Sequence, residues 1–488
     1  MKPIKDIISE KPWFGWLLFL ASALIVFLLG LLASSIIERR SEAKYAYKQP
    51  ANLGKFESDN SLWGKFYPRE YETFLQTSDT TFFSKYEGNG QIDMLARDPK
   101  MVILWAGYSF SKDYFQSRGH YYAITDIRNT LRTGAPMTAD AGPQPGTCWT
   151  CKSPDVPRIM NNIGPESFYH STWAALGPEI KNPIGCADCH NPEDMTLTIT
   201  RPALKEAFER QDKDVMKSTH QEMRTLVCAQ CHVEYYFKGD GKYLTFPWDN
   251  GKTVEDIEKY YDSYQFSDWV HSISRTPMIK AQHPDYELFS LGIHSQRGLA
   301  CADCHMPYVS EGGVKYTSHH LQSPLNSVST TCAVCHRQSE EELRKNVYDR
   351  QDKIQELRDM LEETLVKAHY EAKAAWDANA SEEMMKPVLQ LIREAQWRWD
   401  FATASHGGSF HAPLEVARIL ANGIDKSQQA RVELSGILAT LKAGNVTYPD
   451  ISTKEKAQEA IGLKMAALRN EKQEFKSTIL PLWDAKSK

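Results

Sequence analysis

The chain has 488 residues, of which 42% are hydrophobic, so it is long enough for one large domain or two to three ordinary ones. Its formal net charge of -5 at pH 7 excludes a generally basic nucleic-acid-binding protein. The 12 Trp and 22 Tyr residues indicate a globular body whose aromatic rings can pack against flat groups.

Residues 1–37 are predicted to form an N-terminal membrane anchor. Residues 13–37 are uncharged and mostly apolar, and a helix of that length spans a hydrocarbon core of about 30 Å. A cleaved signal peptide is the alternative, because Ala33-Ser34-Ser35 fits a small-residue cleavage site. The apolar part of a signal peptide is usually only about 7 to 15 residues long, which favours the anchor. Residues 38–60 are polar and are predicted to be a linker.

Residues 61–345 contain all ten cysteines, arranged as five Cys-x-x-Cys pairs. Four pairs are followed directly by histidine, which is the attachment motif of c-type haem: two thioether bonds and one proximal ligand. Structural zinc is the weaker alternative, since it does not require that histidine, and a chain of this size needs few disulfides. The four complete motifs are Cys186-Ala-Asp-Cys189-His190, Cys228-Ala-Gln-Cys231-His232, Cys301-Ala-Asp-Cys304-His305 and Cys332-Ala-Val-Cys335-His336.

The fifth pair, Cys148-Trp-Thr-Cys151, is followed by Lys152. A lysine amine must be neutral to bind iron, so burial and the metal together have to overcome an intrinsic pKa of about 10.4. The alternative is that Lys152 merely follows a degenerate pair. An iron ligated by histidine on both sides is saturated, whereas catalysis needs an open position, and this departure therefore marks the candidate catalytic haem.

The fold is predicted to be mainly α, with short helices and loops around five haems, followed by long C-terminal helices in residues 346–488. Apolar residues recur at helical spacing between 340 and 378, and a second helix is expected from Ser381 to about residue 403. Pro413 is expected in the first turn of a third helix ending near Gly444. Residues 452–455 resemble a capping box that opens a fourth. This region is a scaffold, a dimer interface or both.

These motifs resemble cytochrome c nitrite reductase, the ammonia-forming pentahaem family, from about residue 60 to the C-terminus. Besides the five haem motifs, the similarity includes the segments 130–136, 186–191, 232–237, 280–284 and 396–400. The resemblance implies six-electron reduction of nitrite to ammonium at the haem ligated by Lys152. It also implies a distal pocket containing Arg132, Tyr235 and His283, where arginine would bind the anion and the other two would supply protons.

The resemblance further implies a calcium ion beside the active haem. Its ligands would be Glu234, Gln282 and the backbone carbonyls of Tyr235 and Lys280, all oxygen donors, as calcium requires. A salt bridge between Glu234 and Lys280 is the alternative that spacing alone leaves open.

Distal ligands of the four saturated haems also follow from the resemblance. The adjacent His320 competes with His319, since a slip of one residue would exchange them. The implied pairs are His190 with His319, His232 with His120, His305 with His411, and His336 with His294.

Because c-type haem is attached outside the cytoplasm, the body is expected on the periplasmic side, either anchored by the N-terminal helix or soluble after signal cleavage. The expected partners are nitrite, a second copy of the chain, and an electron donor, either a quinol-oxidising multihaem cytochrome in the membrane or a soluble cytochrome. Two other functions compete: an electron-carrier cytochrome, and a related reductase acting mainly on hydroxylamine or sulfite.

Overall fold

The computed structural model describes residues 3–46 and 52–485. Its first long element is the helix Pro12–Ala46, which follows the short helix Ile4–Glu10. The helix Pro12–Ala46 contains the apolar stretch 13–37 of the predicted anchor and continues into the segment predicted to be a linker. Its stretch Pro12–Arg40 is long and apolar enough to cross a membrane, and the apolar side chains there are exposed rather than packed against the body.

The region between residues 60 and 336 consists of short elements, as expected for a chain interrupted by Pro and Gly. Its described α-helices are Asn60–Phe66, Pro68–Leu75, Met94–Arg97, Lys100–Leu104, Ala123–Asn129, Asp155–Ile163, Pro165–His170, Trp173–Leu176, Cys186–Cys189, Pro202–Glu209, His220–Ala229, Val254–Ser263, Asp285–Leu291, Ile293–Gln296 and Cys301–His305. Four antiparallel two-stranded sheets accompany them, formed by Ile92–Asp93 with Phe115–Gln116, Tyr236–Lys238 with Tyr243–Thr245, Trp269–Val270 with Pro277–Met278, and Tyr308–Glu311 with Val314–Thr317.

Three long helices follow, as the sequence predicts. Glu340–Asp377 begins after Ser339, whose side chain accepts a hydrogen bond from the backbone N–H of Glu342, and Glu382–Ala404 begins after Ser381 in the same way. Such N-caps satisfy backbone donors that have no partner in the first helical turn. The third long helix, Pro413–Thr440, starts with the predicted proline and ends a few residues before the predicted end. A short helix, Gly408–His411, precedes it.

The predicted fourth helix differs in detail. The helix Lys454–Ala460 is short, and its N-cap Thr453 accepts from the backbone N–H of Lys456. The predicted capping box is not formed, because the helix starts one residue later than the pattern requires and Lys456, not a carboxylate, occupies its third position. Gly462, with φ +75°, then separates it from two further helices, Met465–Thr478 and Leu480–Ala485.

Two clusters of buried apolar side chains stabilise the molecule. The first joins the long helices, through residues such as Leu365 and Leu420, to Trp105 and Met278 of the preceding region. The second surrounds Trp149 and includes side chains from the last two helices. The expectation of a mainly α fold with long C-terminal helices is confirmed, and both clusters border on the space that the cysteine motifs line.

Candidate haem cavity and catalytic centre

One connected cavity of about 2200 Å³ runs through the region of short elements. Its lining includes every cysteine of the chain, together with Lys152 and the histidines that complete the four Cys-x-x-Cys-His motifs. None of the cysteines forms a disulfide. The structure therefore brings all five predicted attachment motifs to one shared space.

The motifs owe their shape to a single turn of helix. The backbone N–H of His190 donates to the carbonyl of Cys186 at 2.9 Å, and His232 and His336 make the same bond to the first cysteines of their motifs. This bond places the histidine one turn after the first cysteine, so that both face the same side. Lys152 N–H donates instead to the carbonyl of Trp149 at 3.0 Å, but the lysine side chain still reaches the cavity.

Four pairs of histidines face each other across the cavity. An iron between two imidazoles, with each metal–nitrogen bond about 2 Å long, requires ring centroids roughly 6 Å apart. The four pairs meet this requirement, and each combines a motif histidine with the distal histidine that the resemblance implies. The centroid separations are 6.2 Å for His120 and His232, 6.2 Å for His190 and His319, 6.2 Å for His305 and His411, and 6.4 Å for His294 and His336.

The hydrogen bonds of these histidines favour metal binding. Nδ1 of His190, His305 and His319 lies 2.8 Å from the carbonyl oxygens of Met195, Gln322 and Thr317 respectively. Because a carbonyl only accepts, Nδ1 carries the proton and Nε2 keeps its lone pair for a metal. Burial also lowers the pKa of His319 and of His411 to about 4 and that of His120 to about 3, so these rings are neutral at pH 7, as ligation requires.

The directions of the two side chains distinguish His319 from His320 as the distal ligand opposite His190. The ring of His319 faces His190, and its backbone N–H donates to the hydroxyl of Thr73 at 2.9 Å. His320 Nε2 is buried and makes no hydrogen bond among the described residues. His319, unlike His320, also lines the cavity.

Arg132, Tyr235 and His283 line the same cavity as Lys152. Burial raises the pKa of Tyr235 well above its ordinary value, and the nearby Cys151 and Cys148 add to the effect. Burial lowers the pKa of His283 well below its ordinary value, and His406, Lys152 and His232 lower it further. Although burial raises the pKa of Cys148, Arg132 and Lys152 both act to lower it, the two cysteines of that motif raise the pKa of Tyr235, and Lys152 lowers that of His283, so the three predicted distal residues lie near the lysine motif.

The oxygen atoms predicted to bind calcium are also brought together. Glu234 is fully buried, and its carboxylate accepts from the backbone N–H of Gln282 at 2.6 Å and from the Tyr261 hydroxyl at 2.9 Å. The Gln282 side chain donates to the carbonyl of Lys280 at 3.1 Å. The alternative salt bridge does not form, because Lys280 Nζ lies 2.7 Å from a carboxylate oxygen of Asp400 instead.

The charge of this cluster suits a cation. Burial raises the pKa of Glu234 well above its usual range, and the neighbouring Glu287 raises it further. Glu287 is fully buried too, and its Oε2 has no hydrogen-bond partner in the part of the chain that the structure describes. Two buried carboxylates side by side are costly unless a positive charge accompanies them, so this donor set fits a hard cation.

A family model for cytochrome c552 matches residues 59–488. The chain belongs to the cytochrome c552 family. Among its relatives, a cytochrome c-552 from Parabacteroides distasonis is 61% identical over 475 residues, covering 97% of this chain and 96% of the relative. Another, from Aliarcobacter butzleri, is 48% identical and covers 96% of this chain and 94% of the relative. As a cytochrome c, the protein carries haem c.

A solved structure of known activity is also similar to this chain. Cytochrome c nitrite reductase from Desulfovibrio desulfuricans, whose catalytic subunit has two calcium sites, is similar with a TM-score of 0.72 and 30% identity. The similarity covers 86% of this chain and 91% of that one. It confirms the predicted family resemblance.

His406 also lines the cavity, although neither a motif nor the family resemblance assigned it a role. The ring of His406 lies 6.0 Å from that of His283, and the carboxylate of Asp285 accepts from Ser405 and from the backbone of Gly407, on either side of it. His406 was one of several histidines outside the motifs, and only its position five residues before His411 could have indicated it.

Proposed function

We propose that this protein reduces nitrite to ammonium at a haem ligated by Lys152. One observation supports this most directly: of five cavity-facing motifs, four have a histidine opposite them at the distance that iron requires, and the lysine motif instead has Arg132, Tyr235 and His283 nearby. Similarity to a cytochrome c nitrite reductase supports the same reaction.

In this proposal, the five haems are attached through the ten cysteines, four are ligated by the histidine pairs given above, and only the fifth has an open position. Bound haem supplies electrons and a coordination position for nitrite. The reaction takes six electrons and eight protons and releases two waters, so a route for protons matters as much as one for electrons.

The side chains supply binding and protons. Arg132 is permanently charged, and its terminal amino groups make no hydrogen bond to any described residue, which leaves them for the oxygens of an anion. Burial lowers the pKa of His283, so its ring is neutral at pH 7 and can relay a proton by accepting one at one ring nitrogen while the other nitrogen releases one. The Tyr235 hydroxyl, whose pKa is raised, is protonated and can donate a hydrogen bond.

Calcium bound by Glu234, Gln282 and the carbonyls of Tyr235 and Lys280 would hold two catalytic segments together. Tyr235 follows Glu234 and His283 follows Gln282, so an ion shared by these segments fixes both catalytic side chains. The ion would also compensate the buried carboxylates.

The assembly that we propose is a homodimer joined through the long C-terminal helices, on the periplasmic side of the membrane. Electrons would come from a quinol-oxidising multihaem cytochrome in the membrane or from a soluble cytochrome. The helical surface of residues 340–377, whose N-terminal half contains no fully buried residue, supports the dimer.

The test compares Lys152→Ala with Lys217→Ala in the haem-loaded enzyme, since the Lys217 side chain is 84% exposed and remote in role. With reduced viologen as donor, we expect Lys152→Ala to lose at least about 99% of ammonium formation, a loss on the scale of one catalytic group. It should keep the four histidine-ligated haems, as measured by pyridine haemochrome. Full nitrite reduction by Lys152→Ala, or wild-type spectra that exogenous anions leave unchanged, would refute the proposal.

A further inference from the structure

Arg132 lies on a short turn that follows the helix Ala123–Asn129. The 3-10 helix Leu131–Thr133 has only three residues, with Thr130 as its N-cap and Gly134, φ +69°, after it. So short an element has almost no stability of its own, and contacts from elsewhere in the chain decide where its side chains point.

Asp113 holds the first half of this turn. Its side chain is buried, and its two carboxylate oxygens accept from the Thr130 hydroxyl and from the backbone N–H of Leu131, each at 2.7 Å. The Thr130 hydroxyl in turn accepts from Nε of Arg132 at 3.2 Å. These bonds fix Nε of the Arg132 guanidinium, and its two terminal amino groups remain available to bind an anion.

Lys472 holds the second half. It comes from the helix Met465–Thr478, far away in sequence, and its Nζ donates to the hydroxyl of Thr133 at 2.9 Å and to the carbonyl of Gly134 at 2.7 Å. The lysine is only 4% exposed, and its Nζ lies 4.8 Å from the centroid of the Phe475 ring. A buried amine with two short bonds to one turn is an effective anchor.

Phe110 fixes the plane of the guanidinium. The central carbon of the Arg132 guanidinium lies 4.3 Å from the centroid of the Phe110 ring. Phe110 is itself stacked on Tyr108, with centroids 5.4 Å apart and planes 10° apart, and Lys280 Nζ lies 5.0 Å from its centroid. These contacts hold the ring from both sides, and the Arg132 guanidinium packs on it.

We propose that Asp113 and Lys472 are positioning residues that clamp the Arg132 turn between them, so that the C-terminal helix sets the affinity of the site for an anionic substrate. This inference rests on the proposed role of Arg132 in binding nitrite. Lys472 does not touch the substrate; it acts through Thr133 and Gly134 on the direction of the Arg132 guanidinium.

The experiment uses two substrates of different charge and the haem-loaded enzyme. Lys472→Met keeps the stem of the side chain and removes both hydrogen bonds, and we expect KM for nitrite to rise about tenfold, which corresponds to roughly 1.4 kcal/mol. Turnover of hydroxylamine, which is uncharged at pH 7, should change less than about twofold, since it does not depend on the charge of arginine. Lys472→Arg, which keeps hydrogen-bond donors at the end of the side chain, should recover nitrite binding in part.

The controls separate the possible outcomes. Arg469→Met removes a charge from an exposed position of the same helix and should leave both substrates unaffected. Equal losses for nitrite and hydroxylamine in Lys472→Met would indicate general misfolding and overturn the positioning role, as would an unchanged KM for nitrite. If Arg132→Gln also leaves that KM unchanged, the proposed role of Arg132 fails as well; if Arg132→Gln raises it, only the clamp is wrong.

Discussion

His271 and His369 form a buried pair that the haem sites do not use. Their rings stack with centroids 3.7 Å apart. His271 Nδ1 accepts from two backbone N–H groups, those of Ile273 and Ser274, so its proton must be on Nε2, which donates to the carbonyl of Ile103 at 2.8 Å. These hydrogen bonds require the His271 ring to be neutral. Protonating both stacked rings would bury two positive charges side by side, which would cost still more free energy than protonating one.

The pair predicts loss of stability in acid. Burial lowers the pKa of His369 to about 4, while the unfolded chain keeps a value near 6.5, so between these values the unfolded state binds more protons. Stability should therefore fall as the pH drops from about 6.5 to about 4, by on the order of 3 kcal/mol for this group. The thermal unfolding midpoint of His369→Gln should depend less on pH over this range than that of the wild type.

A matched control for that measurement is His170→Gln, because His170 is exposed. It should retain the full acid sensitivity of the wild type. An identical pH dependence for His369→Gln and the wild type would show that the pair does not contribute to acid sensitivity.

Some elements follow from local sequence and others do not. The start of the helix Glu382–Ala404 was predicted, because its N-cap Ser381 acts through contacts within one turn, and the structure shows Ser339 doing the same for Glu340–Asp377. The haem motifs could also be predicted, because each lies within five consecutive residues. The same holds for Lys152, which replaces histidine in one of them. Asp113 and Lys472 were not predictable, because they meet the Arg132 turn only through tertiary packing. The strands of the four short two-stranded sheets show no clear alternation of apolar and polar residues.

The helix Pro12–Ala46 carries a prediction of its own. Its apolar stretch of 25 residues would be about 37 Å long, more than a bilayer core needs, and it buries nothing against the body. We therefore expect an uncleaved anchor: the mature protein should retain this segment by intact mass and should resist extraction from membranes by alkaline carbonate. Ala33→Leu, which alters the small-residue segment, should leave the mature mass unchanged apart from the substitution. A mature N-terminus beyond residue 35 would contradict the prediction.

At the scale of the whole molecule, the cavity borders on both apolar clusters, so bound haem is part of the core. The cluster around Trp149 is close to the first cysteine pair, and the cluster of the long helices reaches Leu288, near the histidines of the middle motifs. Sequence could predict that five cofactors are present and that the region around them would be irregular. It could not predict that the five motifs line one continuous space of about 2200 Å³, since that depends on how distant segments pack.

This architecture predicts that, without haem, the region of short elements loses its structure while the long helices keep more of theirs. The helices Glu340–Asp377, Glu382–Ala404 and Pro413–Thr440 pack apolar side chains such as Leu361 and Ile392 into one cluster and need no cofactor for those contacts. Most of the residues that line the cavity lie in the segment 148–336, and without haem their cavity-facing side chains would be exposed to water. Hydrogen exchange of the chain with all ten cysteines replaced by alanine should therefore be fast in residues 148–336 and slower in the long helices, whereas the haem-loaded protein should be protected in both. Equal protection of both regions in the variant would mean that the short elements form a core without haem.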